Sequence, residues 1–431
     1  MVPNIDRVAA VTIKPTKTPL IGRAVLPGSK SITNRALLIA AMAQGKSRIA
    51  GALKSDDTLY MAAGLRQMGV AIHEPDTVQF VVKSIGRLVA PAQPLFLGNA
   101  GTATRFLVAA AATAEGKTVI DGNSHMRKRP IAPLVHALRS LGVDVDSTEG
   151  CPPVTVRGTG GIDGERIAID AQLSSQYVSA LLMVAPKAKN VLEILISGED
   201  IGARGYIDLT IETMRSFGAS VEQVDLSAWR VQPTGYRATD IAVEPDASAA
   251  TYLWAAEALT GGSIDIGLSP QASTQPDAAA HQLIQMFPHL PPVIDGSQIQ
   301  DAVPTLAVLA AFNEGPVRFN GVGNLRVKEC DRLVALATEL CRIQSGLARV
   351  ENDSLIVFGH STLKPQNLQT HIETYQDHRI AMAFALVGLR LEGITILDPT
   401  CVRKTYPNYW QSLQSLGVEI NFQRSFNVIR H

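Results

Sequence analysis

Leu65-Arg66-Gln67-Met68-Gly69-Val70-Ala71-Ile72 reads as a helix that closes on a glycine and gives way to an alternating strand. The pattern returns as Leu138-Arg139-Ser140-Leu141-Gly142-Val143-Asp144-Val145 and as Met214-Arg215-Ser216-Phe217-Gly218-Ala219-Ser220-Val221. A fourth copy is Leu413-Gln414-Ser415-Leu416-Gly417-Val418-Glu419-Ile420. Gly69, Gly142 and Gly218 lie 73 and 76 residues apart, and Gly346, in a distorted copy, precedes Gly417 by 71. A sixth, degenerate copy is expected near 283–287. Units this small cannot bury their own apolar faces, so they must share cores. The length suggests two groups of three.

Working outward, a junction is expected between 239 and 245, where a strand-like segment leads into Asp246-Ala247-Ser248 and a helix over 249–259. A first crossing near Pro27 would leave an N-terminal strand over 8–14 with the second group. The expected domains are therefore 29–241, and 1–28 together with 242–431. The proline-rich stretch 288–292 reads as a turn inside the second domain.

The 431 residues suffice for two or three cores; 46% are apolar and 18% charged, as in a folded globular protein. Lys+Arg and Asp+Glu both total 39, so no overall basic field exists to hold nucleic acid or a membrane surface. Anion recognition must come from local groups of cations. Cys151, Cys330, Cys341 and Cys401 show no CxxC spacing or disulfide framework, which suits a reducing compartment. The opening Met1-Val2-Pro3-Asn4 lacks the layout of a secretory leader, and the apolar run over 106–112 is too short to span a bilayer. A cytoplasmic protein is expected. Gly45-Lys46-Ser47 ends like a P-loop, but Ala40 stands at the first glycine position.

Local groups of cations do occur, and they sit at helix starts. In Leu26-Pro27-Gly28-Ser29-Lys30-Ser31-Ile32-Thr33-Asn34-Arg35, Ser29 or Ser31 can cap a helix over 32–43 that opens with Lys30 and Arg35. Cations at a helix N-terminus cost roughly 0.3–1 kcal/mol each when exposed, unless an anion sits between them. Asn99-Ala100-Gly101-Thr102-Ala103-Thr104-Arg105 repeats the arrangement, and Arg129-Pro130 reads as another proline-started helix. Ser174-Ser175-Gln176 opens a helix over 177–185 with hydroxyl and amide groups. Asn324 to Arg332 reads as a helix start with Lys328 and Arg332 four apart, which repel unless something negative intervenes. Asp377-His378-Arg379 begins a helix over 380–390, and Arg403-Lys404 precedes the last helix. Singly, each is a solvated charge; together they suit a pocket for polyanionic small molecules.

Together these motifs resemble the 5-enolpyruvylshikimate-3-phosphate synthase (3-phosphoshikimate 1-carboxyvinyltransferase) family. LPGSKSxxNR, NAGTxxR, RP, SSQ, RVKExDR, DHR and the Lys404 motif occur in the family's order from Leu26 to Lys404. The resemblance implies an α/β fold of two similar domains, each of three βαβαββ units. It also implies a double crossover hinge with the active site in the interdomain cleft. The implied reaction moves the enolpyruvyl group of phosphoenolpyruvate to the 5-hydroxyl of shikimate 3-phosphate, on the route to chorismate, through a tetrahedral intermediate. No metal or organic cofactor is implied, the partners are the two small molecules, and a monomer is expected.

Matched position by position, Lys30, Ser31, Arg35, Ser174, Ser175, Gln176, Tyr206, Asp301, Asn324 and Lys328 are expected to hold shikimate 3-phosphate. Lys30, Gly101, Arg129, Gln176, Arg332, Arg379 and Lys404 are expected to hold phosphoenolpyruvate. For catalysis the resemblance gives Asp301 as base toward the hydroxyl and Glu329 as the group exchanging the methylene proton. Lys328, Arg332 and His378 would surround Glu329, with His378 counted among the catalytic groups, and Lys30 and Lys404 would support protonation and the leaving phosphate. The types fit the reaction: two anions need cations to bring them together, and the proton transfers need restrained carboxylates.

The chain departs from the family pattern at Ala203, where a serine is usual, at Cys330, where Thr or Ser is usual, and at Phe106, where many members have proline. Arg204 or a backbone N–H is a substitute for the missing hydroxyl, and Cys330 reads as a small filler. Gly101 is retained, so inhibition by glyphosate is expected. The sister enzymes acting on UDP-N-acetylglucosamine carry a reactive loop cysteine and Lys-Asn in place of Lys30-Ser31. A non-catalytic phosphometabolite binder would not need Asp301 and Glu329. An RNA-end-processing enzyme of related architecture would need a nucleotide site and a basic surface, and neither is read in the sequence.

Overall fold

The computed structural model describes residues 8–198 and 202–424. The chain forms two compact units, one over 27–245 and one made of 1–26 with 246–431.

The 27–245 unit repeats one sheet plan three times. Leu95–Phe96 lies parallel to Glu115–Asp121, which pairs antiparallel with Cys151–Thr159, and that strand with Asp144–Thr148. Arg166–Asp170, Leu192–Ser197, Ala228–Val231 and Val221–Asp225 repeat the order. In the remaining sheet Ala43–Ala50, Gln79–Ile85 and Ala71–Asp76 take the last three places. Its parallel edge is supplied from the far end of the unit by Tyr236–Arg237 and Ile241–Ala242. Ser29 N–H donates to the Glu244 carbonyl (2.8 Å), and Gly28 bridges Pro245. Gly28 and residues 242–245, expected in the other domain, are therefore tied in here. A Cβ at Gly28 would fall 1.9 Å from the Gly51 carbonyl oxygen, so no other residue fits that approach.

In the second unit Val293–Asp295, Gly315–Asn320, Ser354–Gly359 and Ala348–Glu351 follow the same plan. So do Thr370–Ile372, Ile394–Leu397, Val8–Ile13 and Ile420–Arg424, with the N-terminal strand filling the third place. The degenerate copy has only Ile21–Arg23 beside Ser263–Asp265 among the described residues. After its helix, Ala280–Gln285, no glycine follows, and the next strand pairs with the neighbouring sheet instead. Gly69, Gly142, Gly218 and Gly417 end their helices at φ of +87°, +77°, +83° and +93°. Gly346, at +76°, sits one residue further along.

Each unit buries three helices. Lys30–Met42 is buried from Ile32 onward, Gly101–Ala111 throughout, and Gln176–Val184 from Tyr177 onward. Their counterparts are Ala247–Thr260, Val303–Ala311 and His378–Ala385. Helices apolar on all sides belong inside a core. Their N-terminal turns are where the sequence put its chemistry.

Three local expectations fail for identifiable reasons. Arg332 and Lys328 do not share a helix: a 3-10 turn, Gly323–Val327, ends at Lys328, and Asp331 caps a new helix, Arg332–Ile343, by accepting from Val334 N–H (3.1 Å). Pro130 lies ahead of its helix, Ala132–Ser140, whose first turn holds Pro133. The helix from His378 stops at Ala385 and continues as a 3-10 turn, Val387–Leu389. Asp246 does cap its helix, accepting from Ala249 N–H at 2.8 Å.

Candidate active site

In the 27–245 unit the polar groups converge on the three buried helix starts. Ser29, not Ser31, caps the first, accepting from Ile32 N–H (3.4 Å). Lys30 Nζ lies 3.4 Å from the buried Asp57 Oδ2, at the start of Asp56–Gln67. Asp57 escaped the sequence reading; an acidic first turn was its only signal.

Arg35 is buried. Its Nε donates to Thr210 Oγ1 (2.7 Å), Nη1 to the Ser31 carbonyl (3.0 Å), and Nη2 to Ser179 Oγ (3.3 Å) and the Tyr206 carbonyl (3.1 Å). One Nη1–H is left without a partner among the described residues. The guanidinium also lies over Phe106 and Tyr206, 5.3 and 5.9 Å from their centroids. Burial pulls it down to about 10, with Tyr206 opposing. Arg35 therefore fixes Ser31 and Tyr206 in place as much as it offers charge. Phe106, the residue in place of the usual proline, is part of that seat.

A second cluster joins the other two helix starts. Arg105 Nη1 donates to Gln176 Oε1 (2.8 Å), and Gln176 Nε2 to Thr102 Oγ1 (3.3 Å). Arg105 Nη2 and Tyr177 Oη both donate to the Pro130 carbonyl (3.4 and 2.6 Å), which sets the Arg129-Pro130 turn. Gln176 N–H donates to Ser174 Oγ (3.2 Å), and Ser175 is buried. Arg129 Nη1 donates to Asn99 Oδ1 (3.4 Å). A Cβ at Gly101 would lie 2.7 Å from Arg129 Cζ and Nη1, so the glycine is what lets that guanidinium cover the helix start. Arg204 stacks on Trp229 (5.6 Å), and Ala203 holds a left-handed φ of +55°.

The second unit has one dense cluster. Arg332, 1% exposed, donates from Nε to Asp377 Oδ2 (2.7 Å) and from Nη2 to Asp377 Oδ1 (3.2 Å) and Glu329 Oε2 (2.7 Å). Its Nη1 reaches Asp301 Oδ1 (3.1 Å). Arg379 Nη2 donates to Asp301 Oδ2 (2.8 Å), and Lys404 Nζ is 2.8 Å from Glu329 Oε1. Burial would lower the Arg332 pKa, but Asp377, Glu329 and Asp301 outweigh it and hold it above the ordinary guanidinium value. In the sequence Asp377 was visible only as the first residue of the DHR motif at a helix start. It chelates Arg332 while accepting from Arg379 N–H (2.8 Å).

The turn that presents Asp377 is strained. Tyr375 and Gln376 both sit at left-handed φ, +55° and +56°, a costly state for side chains of this kind. Tyr375 Oη donates to the buried Glu339 Oε1 (2.7 Å), on the helix that begins with Arg332. The strained turn is thereby pinned at both ends to one helix.

Not every expected residue joins the cluster. The His378 ring is fully buried, with Nδ1 3.7 Å from Asp377 Oδ1, beneath the carboxylate rather than among the exposed ends. Asn324 and Lys328 are half-buried on the preceding 3-10 turn. Cys330 Sγ approaches Asp377 Oδ2 (3.6 Å); burial first, then Asp377, pushes its thiol up, so it stays neutral filler. Among the described residues no three His, Cys, Asp or Glu side chains are grouped to hold a metal, and no helix is long and apolar enough to cross a membrane.

A family model described as EPSP synthase (3-phosphoshikimate 1-carboxyvinyltransferase) matches residues 15–290 and 289–413. The chain belongs to the EPSP synthase family. A 3-phosphoshikimate 1-carboxyvinyltransferase of Rhizobium etli (strain CIAT 652) is 63% identical, over 96% of this chain and 99% of its own length. One from Pseudomonas syringae pv. syringae is 60% identical over the same shares. An EPSP synthase structure from Acinetobacter baumannii superposes with a TM-score of 0.76 at 25% identity, covering 96% of this chain and all of that one. The enolpyruvyl transferase NikO of Streptomyces tendae, at 19% identity and a TM-score of 0.75, shares the fold. EPSP synthases catalyse enolpyruvyl transfer in the shikimate pathway, and this chain is an enzyme of that kind.

Asp277 is the unexpected neighbour of this EPSP synthase cluster. It is fully buried and accepts from Ser248 Oγ. Burial, then Asp301, pushes its carboxyl up to about 6, against Arg379 and Ser248. The folded state thus holds a proton that the unfolded chain releases near 3.8, and stability falls as pH rises from there through about 6. Asp277→Asn, neutral throughout, is expected to remove that slope. Unfolding free energies of variant and wild type from urea titration should agree near pH 4 and differ by up to about 3 kcal/mol in the variant's favour at pH 8. Parallel pH profiles would contradict the assignment.

Proposed function

We propose that the chain transfers the enolpyruvyl group of phosphoenolpyruvate to the 5-hydroxyl of shikimate 3-phosphate. The observation that carries this reading is the buried cluster in which Glu329 and Asp301 are each held by two cations. Joining two anions requires such cations, and moving protons between them requires fixed carboxylates. In the addition step the 5-oxygen bonds to C2 of phosphoenolpyruvate and C3 gains a proton. In the elimination step the C2–O bond to phosphate breaks and C3 loses a proton.

In this reading Asp301 takes the hydroxyl proton, Glu329 exchanges the C3 proton, and Lys30 and Lys404 support protonation and the departing phosphate. Lys30, Gly101, Arg129, Gln176, Arg332, Arg379 and Lys404 serve phosphoenolpyruvate. Lys30, Ser31, Arg35, Ser174, Ser175, Gln176, Tyr206, Asp301, Asn324 and Lys328 serve shikimate 3-phosphate, Arg35 with its remaining Nη1–H. His378 acts through Asp377. The protein works as a cytoplasmic monomer on these two small molecules.

Phosphate release from phosphoenolpyruvate, measured with shikimate 3-phosphate, with UDP-N-acetylglucosamine and with no acceptor, tests the reading. Release only with shikimate 3-phosphate is expected; release with the nucleotide sugar alone would overturn it. Gly101→Ala should leave the fold intact, because the added methyl meets only the far end of the Arg129 side chain. It should still raise the KM for phosphoenolpyruvate about 10- to 100-fold by misplacing that guanidinium. An unchanged KM would remove Arg129 from the phosphoenolpyruvate set.

A further inference from the structure

We propose that Asp301 has a second role: it is the counter-ion that occupies Arg332 and Arg379 until a substrate carboxylate replaces it, so the arrival of phosphoenolpyruvate frees the base. This inference rests on the function proposed above. Asp301 Oδ1 accepts from Arg332 Nη1 (3.1 Å) and Oδ2 from Arg379 Nη2 (2.8 Å), while Arg379 Nη1 reaches the Asp301 carbonyl (3.4 Å). Both carboxylate oxygens therefore already accept from cations. A carboxylate held in this way is a poor base, because the ion pairs favour its charged form. As a base it needs at least one of them broken.

The same two guanidiniums are the cations assigned to the incoming anion. Their donors are spent on an internal carboxylate, so substrate must compete with Asp301. Competition is feasible at this position and not at its neighbours. The Asp301 side chain is 20% exposed, against 0% for Asp377 and 6% for Glu329, so it is the carboxylate within reach of solvent. Arg332 keeps three hydrogen bonds to Asp377 and Glu329 when the Asp301 carboxylate leaves, and the Arg379 guanidinium keeps its contact with the Asp301 main-chain carbonyl. The receptor thus stays assembled while its occupant changes. Exchanging one carboxylate for another preserves the charge-assisted pairs, so neither arginine is left buried and uncompensated.

The exchange orders the chemistry. Without phosphoenolpyruvate the base is masked. Once the substrate carboxylate sits on the arginines, Asp301 is released beside the reacting centre at the moment it is needed.

Binding of phosphoenolpyruvate in the absence of acceptor tests this, by titration calorimetry at fixed ionic strength on wild type, Asp301→Asn and Asp301→Ala. Removing the competitor is expected to tighten binding about tenfold or more in both variants while turnover is lost. Difference infrared spectra with 13C-labelled aspartate supply a second readout. Adding phosphoenolpyruvate to wild type should shift an aspartate carboxylate band that is absent from Asp301→Asn. Unchanged or weaker binding in the variants overturns the proposal, and so does tighter binding with no band shift in wild type, which would be a general charge effect. If wild type still transfers enolpyruvyl to shikimate 3-phosphate in either case, the exchange alone has failed. If wild type does not, the function reading has failed.

Discussion

Arg332→Leu is expected to destabilise the protein by about 3–5 kcal/mol and to leave no measurable enolpyruvyl transfer. The guanidinium is 1% exposed and pairs with three carboxylates, Asp377, Glu329 and Asp301. Removing it leaves Asp377, with no solvent exposure, facing its own helix start and the neutral Cys330 thiol, and strips Glu329 of its Arg332 contact on Oε2. An uncompensated buried carboxylate costs more than the lost attraction alone, because water cannot reach it. Leucine fills part of the volume and satisfies none of the oxygens. Arg332→Lys keeps the charge but cannot chelate Asp377 while reaching Glu329 and Asp301, so activity should still fall steeply with a smaller loss of stability. Urea unfolding followed by tryptophan fluorescence measures the first effect, since Trp254 and Trp410 both lie in this unit. A wild-type midpoint for Arg332→Leu would show that the cluster does not hold the fold as described.

Glu329→Gln should lower kcat about 10²- to 10⁴-fold while changing phosphoenolpyruvate affinity far less. The amide keeps the shape and one acceptor for Arg332 or Lys404, so the cluster persists. It cannot take and return a proton. Lys404 Nζ on Oε1 and Arg332 Nη2 on Oε2 hold the native carboxylate from both sides, so its plane is fixed relative to those two cations. Deuterium uptake at C3 during turnover in heavy water reads this step directly. Wild type should label the methylene carbon and the variant should label it in step with its lost turnover. Uptake at the wild-type rate in Glu329→Gln would take Glu329 out of the proton transfer.

Much of this was legible in the chain, and the limits were physical. The glycine-terminated repeat gave six units because a left-handed C-cap is a demand of the backbone, readable from one residue at Gly69, Gly142, Gly218 and Gly417. Helix starts were legible too, at Ser29, read with Ser31 as a candidate cap, and at Asp246 and Asp377, which the structure shows to be caps. Partnerships were not. Asp377 and Asp301 meet Arg332 and Arg379 from 45 and 78 residues away, and only packing decides which way those side chains turn. Spacing placed Lys328 beside Arg332 on one helix, whereas Asp331 starts the helix between them. Arg35 read as a ligand cation, yet most of its donors hold Ser31, Ser179, Tyr206 and Thr210. His378 lies in a motif expected to carry function, but on the first turn of a buried helix its ring is fully buried.

Phosphorus NMR of the purified protein with phosphoenolpyruvate and shikimate 3-phosphate is the most direct test of the central claim. The account predicts equimolar inorganic phosphate and 5-enolpyruvylshikimate 3-phosphate, formed only when both substrates are present. Phosphate without an enolpyruvyl ether at the 5-position, or no conversion by the intact wild-type chain, would contradict it.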